Sequence, residues 1–549
     1  MNKIILTAML TLLSLNTSYA KDIKLIVKEV DSKRFKSITV DESKVESIKT
    51  DSKYLSVEED VWLKTPKPML KTIIKNSMPQ TNQTFQSKNS RNSDISDEQA
   101  PNDPEFSNQY YFQDKATYQG SSEILKGMAK STQNKKLRIA VIDGGFHDHP
   151  DMEWSYGYNF FDEFGEVRQP EFRDFDDAVS EATGCINGHG LGVASIIGAK
   201  SNNGIGISGV IDADLIALRA LSCGIGPLSN VADAVIHAAG GEVDDIPAIE
   251  KVDIINISIA GPAGSCPSYM QEAIDFANQQ GVMIFVSAGN NNEDIATYVP
   301  AICEGIYVSG ATDKQGYKAE FSNHGAVSSM SPGIDILGYS ASFSEDKIST
   351  QTGWWEGTSQ ASPLALGVAA LGLQHNPELT RDEIFTFLKT TASPIREDVP
   401  SADQDCSGNR CGAGLINANK FMNYVVASTD GGIYILRHAL SPESTCSQEL
   451  FLSQLGNSLP LCLMYEFVIA DGVGINQNSY KIVRVIKGEV MIEENAEFLL
   501  TSDEKTVLLD NIDLDSYDYG VKICLNDACD DTPIIKININ ESALPEICP

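Results

Sequence analysis

Between Leu137 and Val286 short apolar runs of strand length alternate with stretches of helical periodicity, and this alternation constrains the fold more than any other feature. Leu137-Arg138-Ile139-Ala140-Val141-Ile142 reads as a buried strand that ends on Asp143-Gly144-Gly145. A second strand near Leu215 to Ala220 leads into a helix-compatible stretch, Leu228 to Ala239. A third, Val252 to Ile259, is followed by a helix over Ser268 to Gln280, in which Met270, Ala273, Ile274 and Ala277 share one face. Gly281 caps that helix, and Val282 to Val286 is the next strand. Repeated strand, helix, strand units require a parallel sheet covered on both faces. The expected class is α/β, with a doubly wound, mostly parallel sheet.

The flanks of this region differ from it. Ile4 to Leu15 is almost wholly apolar and is followed by Ser18-Tyr19-Ala20, so residues 1–20 read as a cleaved secretory signal, which implies a secreted, extracellular protein. With no cysteine near the cleavage point, no lipid anchor is indicated. Residues 21–72 form a small α+β unit with strand-like segments at Ile23 to Val27, Phe35 to Val40 and Tyr54 to Asp60. The Asn-, Gln-, Ser- and Thr-rich stretch that follows can bury little, and residues 73–100 read as a linker. The α/β unit occupies 101–428, and 429–549 reads as an acidic, β-rich domain with one helix-compatible stretch near Glu449 to Leu455. A net charge of −33 argues against nucleic acid and anionic membranes as partners. The longer apolar runs after the signal have sheet-core length, and none spans a bilayer.

Eleven cysteines in an exported chain point to disulfides, and wide spacings without a CxxC pair speak against zinc. Six lie between Cys185 and Cys411 and can pair completely. The five from Cys446 to Cys548 cannot, so one is free or reaches another chain.

Four polar residues interrupt apolar segments at element ends: Asp143, His189, Asn290 and Ser359. In an open parallel sheet the crevice lies beyond the strand C-termini, where Asp143 and Asn290 both fall. A helix starts after His189, and Gln360 to Leu373 is a helix with Pro363 in its first turn. A hydroxyl at a helix start, beside an imidazole and a buried carboxylate, is what makes serine nucleophilic: His takes the proton, and Asp fixes the ring tautomer and stabilises the cation. Asn290 and the Ser359 backbone N–H could form an oxyanion hole. Taken singly, each residue could equally be a cap or turn residue.

The written context joins them. Val141-Ile142-Asp143-Gly144-Gly145, Gly188-His189-Gly190-Leu191-Gly192-Val193-Ala194, Ser287-Ala288-Gly289-Asn290 and Gly357-Thr358-Ser359-Gln360-Ala361-Ser362-Pro363 resemble, in order, the Asp, His, oxyanion and Ser motifs of the subtilisin-like serine endopeptidases. Pro332-Gly333 and Gly412 to Ala418 extend the resemblance. The chain departs from the pattern at Gly144, where Thr or Ser is usual; at Leu191 and Gly192, where Thr and a second His are usual; and at Gln360, where Met is usual.

The resemblance implies a secreted endopeptidase made as a zymogen, with residues 21–72 as an inhibitory propeptide and protein or peptide substrates. Pro101-Asn102-Asp103-Pro104 resembles the start of the mature enzyme. Substrate would lie as an added strand along Ser258, Ile259, Ala260 and Gly261, with Ser287, Ala288 and Gly289 as the opposite wall. Glu293 and Asp294 either face the pocket, favouring Lys or Arg, or are solvated loop acids. A structural Ca²⁺ is implied, held by Gln109, Asp151, Asn203 and the carbonyls of Ser201, Ile205 and Ile207, all oxygen donors. The resemblance suggests the pairs Cys185–Cys223, Cys266–Cys303 and Cys406–Cys411. The alternative is a catalytically inactive binding or adhesion protein on the same scaffold. An α/β-hydrolase is disfavoured, because no G-x-S-x-G elbow surrounds Ser359.

Overall fold

The computed structural model describes residues 22–32, 34–64, 100–163, 166–173, 188–344, 347–396 and 398–430, with strand segments between 433 and 529. The expected signal, residues 65–72 of the first unit, the linker up to residue 99, Cys185 and the helix near Glu449 to Leu455 lie outside the described residues.

The first unit contains β1 (Asp22–Glu29), β2 (Phe35–Asp41), α1 (Val45–Lys49) and β3 (Tyr54–Glu59). The strands form an antiparallel sheet of order β2-β1-β3. Leu25 and Val27 of β1 pack with Val45 of α1 in a small separate core. A short strand, β4 (Trp62–Lys64), leaves this unit.

The large unit then runs through β5 (Leu137–Asp143), β6 (Trp154–Asn159), α2 (His189–Gly198), β7 (Ala213–Arg219), β8 (Ile225–Pro227), α3 (Leu228–Ala238) and β9 (Ile254–Ile257). It continues with β10 (Gly261–Pro262), α4 (Ser268–Gln279), β11 (Met283–Ser287), β12 (Tyr298–Val299), β13 (Tyr307–Thr312) and β14 (Ser329–Pro332). The hairpin β15 (Ile336–Ser344) and β16 (Lys347–Trp355) then leads into α5 (Thr358–His375). Seven strands form one sheet of order β14-β13-β11-β9-β5-β7-β6, and every neighbouring pair in it is parallel. The α/β class read from the alternation is the observed one.

Strand geometry sends alternate side chains to opposite faces, so both faces must be covered. Ile139, Val141, Leu215, Met283 and Phe285 enter one core, with Leu191 and Val193 of α2 and Leu364 and Val368 of α5. Ala140, Ile142, Ile216, Ile284 and Val286 enter the other, with Val231 and Val235 of α3 and Met270 and Ile274 of α4. Every residue of α5 is buried, which explains why its Ala-, Gly- and Leu-rich sequence lacks a polar face. Beyond residue 430 the described backbone is all strand, in two four-stranded sheets.

Cys266 pairs with Cys303, and Cys406 with Cys411. Cys223 is also disulfide-bonded. The two fully described bridges close stretches of very different length, with sequence separations of 37 and 5. In the chain-entropy account, removing the first (Cys266→Ala with Cys303→Ala) costs about 4 kcal/mol and removing the second about 2 kcal/mol. Urea unfolding of inhibitor-blocked protein should therefore show the larger loss for the first pair; equal losses would contradict this.

Candidate active site

β5 lies mid-sheet and delivers Asp143 at its C-terminal end, where the residue is 0% exposed. Its Oδ1 accepts from His189 Nδ1 at 2.7 Å and from the Gly144 N–H at 2.8 Å. His189 opens α2, whose first turn is pinned to the loop after Asp143 by Gly190 N–H donating to Gly144 O at 2.7 Å. The carboxylate holds the proton on Nδ1, which leaves Nε2 as the acceptor. That Nε2 is buried and has no hydrogen-bond partner among the described residues. The second carboxylate oxygen, Oδ2, is also without one. The departure at Gly144 has a steric cause: an added Cβ would lie 2.9 Å from Leu221 O and 3.1 Å from Leu221 Cβ.

Ser359 lies in the first turn of α5, and its Oγ donates to Ser258 O at 3.2 Å, just past the end of β9. This is the strand next to β5, so the serine and the Asp143–His189 pair share one sheet edge. The helix starts at Thr358, which puts Pro363 in the second turn and not, as expected, in the first. Proline has no N–H for the carbonyl four residues back. That carbonyl, Ser359 O, instead accepts from Ser258 Oγ at 2.8 Å. Asn256 completes the brace, donating to Ser258 Oγ at 2.9 Å and accepting from Ser362 Oγ at 2.8 Å.

Asn290 follows β11. Its Oδ1 accepts from both the backbone N–H and the Oγ1 of Thr358, at 2.9 and 2.8 Å. Gly289 N–H in turn donates to Thr358 Oγ1 at 3.0 Å. With its oxygen engaged, the carboxamide presents Nδ2. Asn323 secures the wall beside it, accepting from Asn291 N and Glu293 N and donating to Ala288 O. Sequence reasoning missed Asn256, Thr358 and Asn323. Thr358 carried a signal as part of the serine motif, and Asn256 as a lone amide within Ile254-Ile255-Asn256-Ile257.

Both loop acids have local partners. Asp294 caps a short helical turn by accepting from Ala296 N at 2.9 Å. Glu293 accepts from Tyr298 Oη at 2.6 Å, and burial, then this bond, pushes that phenol up to about 12.

The edge segment is engaged by the N-terminal unit. β4 pairs antiparallel with β8, and Lys64 exchanges two backbone hydrogen bonds of 3.3 Å with Ala260. Leu63 is fully buried against Gly261. Upstream, Asp60 accepts from Ser229 N at 3.1 Å and Tyr269 Oη at 2.9 Å, and Glu58 accepts from Ser268 N at 2.9 Å. Two carboxylates thus sit at the first turns of α3 and α4, the positive ends of both helices. Burial raises the Asp60 pKa despite these bonds.

Around the expected metal loop, Asp151 accepts from Tyr339 Oη and from Asn203 Nδ2. Asn203 Oδ1 accepts from Ile205 N at 2.8 Å. Gln109 is not turned to this pair: Ser208 engages both ends of its carboxamide at 2.8 Å. Asp103, not singled out as a ligand in the sequence, accepts from Asn202 N at 3.0 Å and Asn203 N at 3.2 Å. Burial and, to a smaller degree, Asp103 raise the Asp151 pKa. Asp151 and Asp103 thus both bond to Asn203, at its side chain and its backbone N–H respectively, and oxygen donors of this kind are the ones Ca²⁺ takes. Among the described residues no three His, Cys, Asp or Glu converge as a metal cluster.

The profile of the subtilase family matches residues 134–414. The chain belongs to the subtilase family. It is 35% identical over 339 residues to an extracellular protease of Xanthomonas campestris pv. campestris, covering 58% of this chain and 56% of that protein. An extracellular basic protease of Dichelobacter nodosus is 29% identical over 354 residues, with 60% and 56% covered. The match thus spans a little over half the length of these relatives. A solved structure described as proteases from Pseudoalteromonas arctica PAMC 21717 aligns with a TM-score of 0.53 at 32% identity, covering 59% of this chain and 99% of that one.

The departure at Gly192 also has a local cause. An added Cβ would lie 2.9 Å from Tyr339 O and 3.0 Å from two atoms of the Trp355 ring, which packs edge-on against His189 at 6.0 Å between centroids. Gly192→Ala should push α2 off the β15–β16 hairpin, at a cost of about 1–3 kcal/mol. A lowered melting temperature of inhibitor-blocked protein, with slower turnover, is expected; a variant that melts like the parent would contradict the packing.

Proposed function

We propose that this chain is a secreted serine endopeptidase made as a zymogen. The observation that carries the reading is the buried Asp143–His189 bond, which leaves an unpartnered imidazole nitrogen on the sheet edge that holds Ser359. In the proposed cycle the Ser359 hydroxyl turns from Ser258 O to His189 Nε2, which takes its proton as Oγ attacks the substrate carbonyl carbon. The imidazolium, stabilised by Asp143, gives that proton to the leaving amine, and an acyl-enzyme remains. A water molecule then repeats the steps in reverse roles and releases the acid. Asn290 Nδ2 and the Ser359 N–H receive the oxyanion.

Substrate backbone is proposed to add as a strand between β8 and Ser258 to Gly261, with Ser287, Ala288 and Gly289 across the cleft. The support is β4, which makes such strand contacts from within the same chain. Residues 21–72 are accordingly proposed as an intramolecular inhibitor. The capping contacts of Glu58 and Asp60 anchor its body, and β4 ends at Lys64 paired with Ala260, two residues beyond Ser258, whose carbonyl accepts from Ser359 Oγ. Among the described residues no helix is long and apolar enough to cross a membrane. Purified Ser359→Ala should lose peptide hydrolysis by at least about 10⁴-fold and remain an unprocessed precursor. Undiminished hydrolysis would rule out the nucleophile, and full processing in the absence of host proteases would rule out self-cleavage.

A structural Ca²⁺ is proposed at Asp151 and Asn203 with the carbonyls of Ser201, Ile205 and Ile207, and with Asp103 adding charge. It would supply countercharge and fix the loop, with no part in the chemistry. Binding to the folded state alone stabilises by about 2.7 kcal/mol at a hundredfold excess over Kd. Inhibitor-blocked enzyme should therefore melt lower in EDTA than in calcium, and Asp151→Ala should abolish the difference. Identical melting, with no metal by elemental analysis, would remove the site.

A further inference from the structure

Several buried polar side-chain atoms have no partner among the described residues, and some belong to the elements that carry the site. Beside His189 Nε2 they include Trp355 Nε1 and both polar atoms of Gln360. Gln360 directly follows the nucleophile, is 0% exposed, and its carboxamide has neither a donor nor an acceptor bonded to it among the described residues. A carboxamide buried in this state destabilises the fold, because its lost hydration is not replaced, whereas an apolar side chain of equal length would not. The position is the one at which the family resemblance leads one to expect Met. A polar group held there at a cost to stability points to a partner that it meets during the reaction.

Its surroundings indicate which. The Gln360 Oε1 lies 3.0 Å from the point where a Cβ on Gly357 would stand, and Asn290 Nδ2 lies 3.0 Å from the same point. The two groups therefore both border Gly357 and are separated by at most twice that distance. Asn290 has its oxygen tied to Thr358, and its nitrogen carries two N–H bonds. One is assigned above to the oxyanion; the other needs an acceptor once substrate displaces solvent from the site. Gln360 Oε1 is a nearby acceptor with no other engagement among the described residues, and rotation about its side-chain bonds is what would bring it to Nδ2.

We infer that Gln360 is a positioning residue for the oxyanion donor. Its carboxamide oxygen takes the second N–H of Asn290 as the tetrahedral intermediate forms, and so holds the first on the oxyanion. This inference rests on the proposed endopeptidase activity. It implies an effect on kcat with little effect on KM, because the oriented N–H meets charge that exists only during attack. It also implies that the effect passes through Asn290.

The test is a double-mutant cycle on a soluble peptide substrate, with the mature enzyme as parent and Gln360→Met, Asn290→Ala and the double variant as the other corners. Asn290→Ala should lower kcat about 10²- to 10³-fold. Gln360→Met should lower kcat about tenfold, the worth of one well-made hydrogen bond, leave KM within about twofold and not lower the melting temperature. In the Asn290→Ala background the same change should have no effect. If Gln360→Met leaves kcat unchanged, or lowers it equally in both backgrounds, the positioning role is overturned while the endopeptidase reading stands. A parent without hydrolysis overturns both. Should Gln360→Met fold poorly, Gln360→Leu is read by the same criteria.

Discussion

A carboxylate and an imidazole, bonded to each other and both out of water, set the terms for the rest of the site. Desolvating an ionised carboxyl group is tolerable only when donors replace the lost water. For Asp143 those donors are the Gly144 N–H and the ring of His189. Both must arrive from fixed directions, and the fold supplies them: β5 ends mid-sheet, and α2 starts against the loop that follows it. The two-sided core is what holds strand and helix in that relation.

The serine is placed by a second device, with proline at its centre. Pro363 frees the carbonyl of Ser359, Ser258 takes it, and Asn256 binds both Ser258 and Ser362. The helix start is thereby anchored to the strand adjacent to β5 by side chains from one short segment. The same segment ends in the edge that receives β4, so the anchor of Ser359 and the edge that pairs with β4 are connected through about five residues of backbone.

The periodicity of Leu137 to Val286 made the parallel sheet legible, because strands buried on both faces and amphipathic helices write different patterns. The four polar residues at element ends were legible for a related reason: each breaks an apolar run where a strand or helix must terminate. What could not be read were contacts between residues remote in sequence. Leu221 excludes a side chain at Gly144 and Trp355 excludes one at Gly192, and nothing near either glycine announces the partner. Asp103 stands beside Asn202 and Asn203, and Lys64 pairs with Ala260, for the same reason. Helix phase was misjudged at Pro363, since sequence alone does not say that the motif residues Thr358 and Ser359 are already helical.

The central claim is that Asp143 and His189 activate Ser359, and the most direct measurement is the rate and site of reaction with a fluorophosphonate, since only an activated serine is modified. Peptide mapping by mass spectrometry should find one adduct, on Ser359, formed stoichiometrically in the mature protein, and Asp143→Asn should slow its formation by orders of magnitude. A mature, folded protein that stays unlabelled, or one labelled at another residue, would contradict the account.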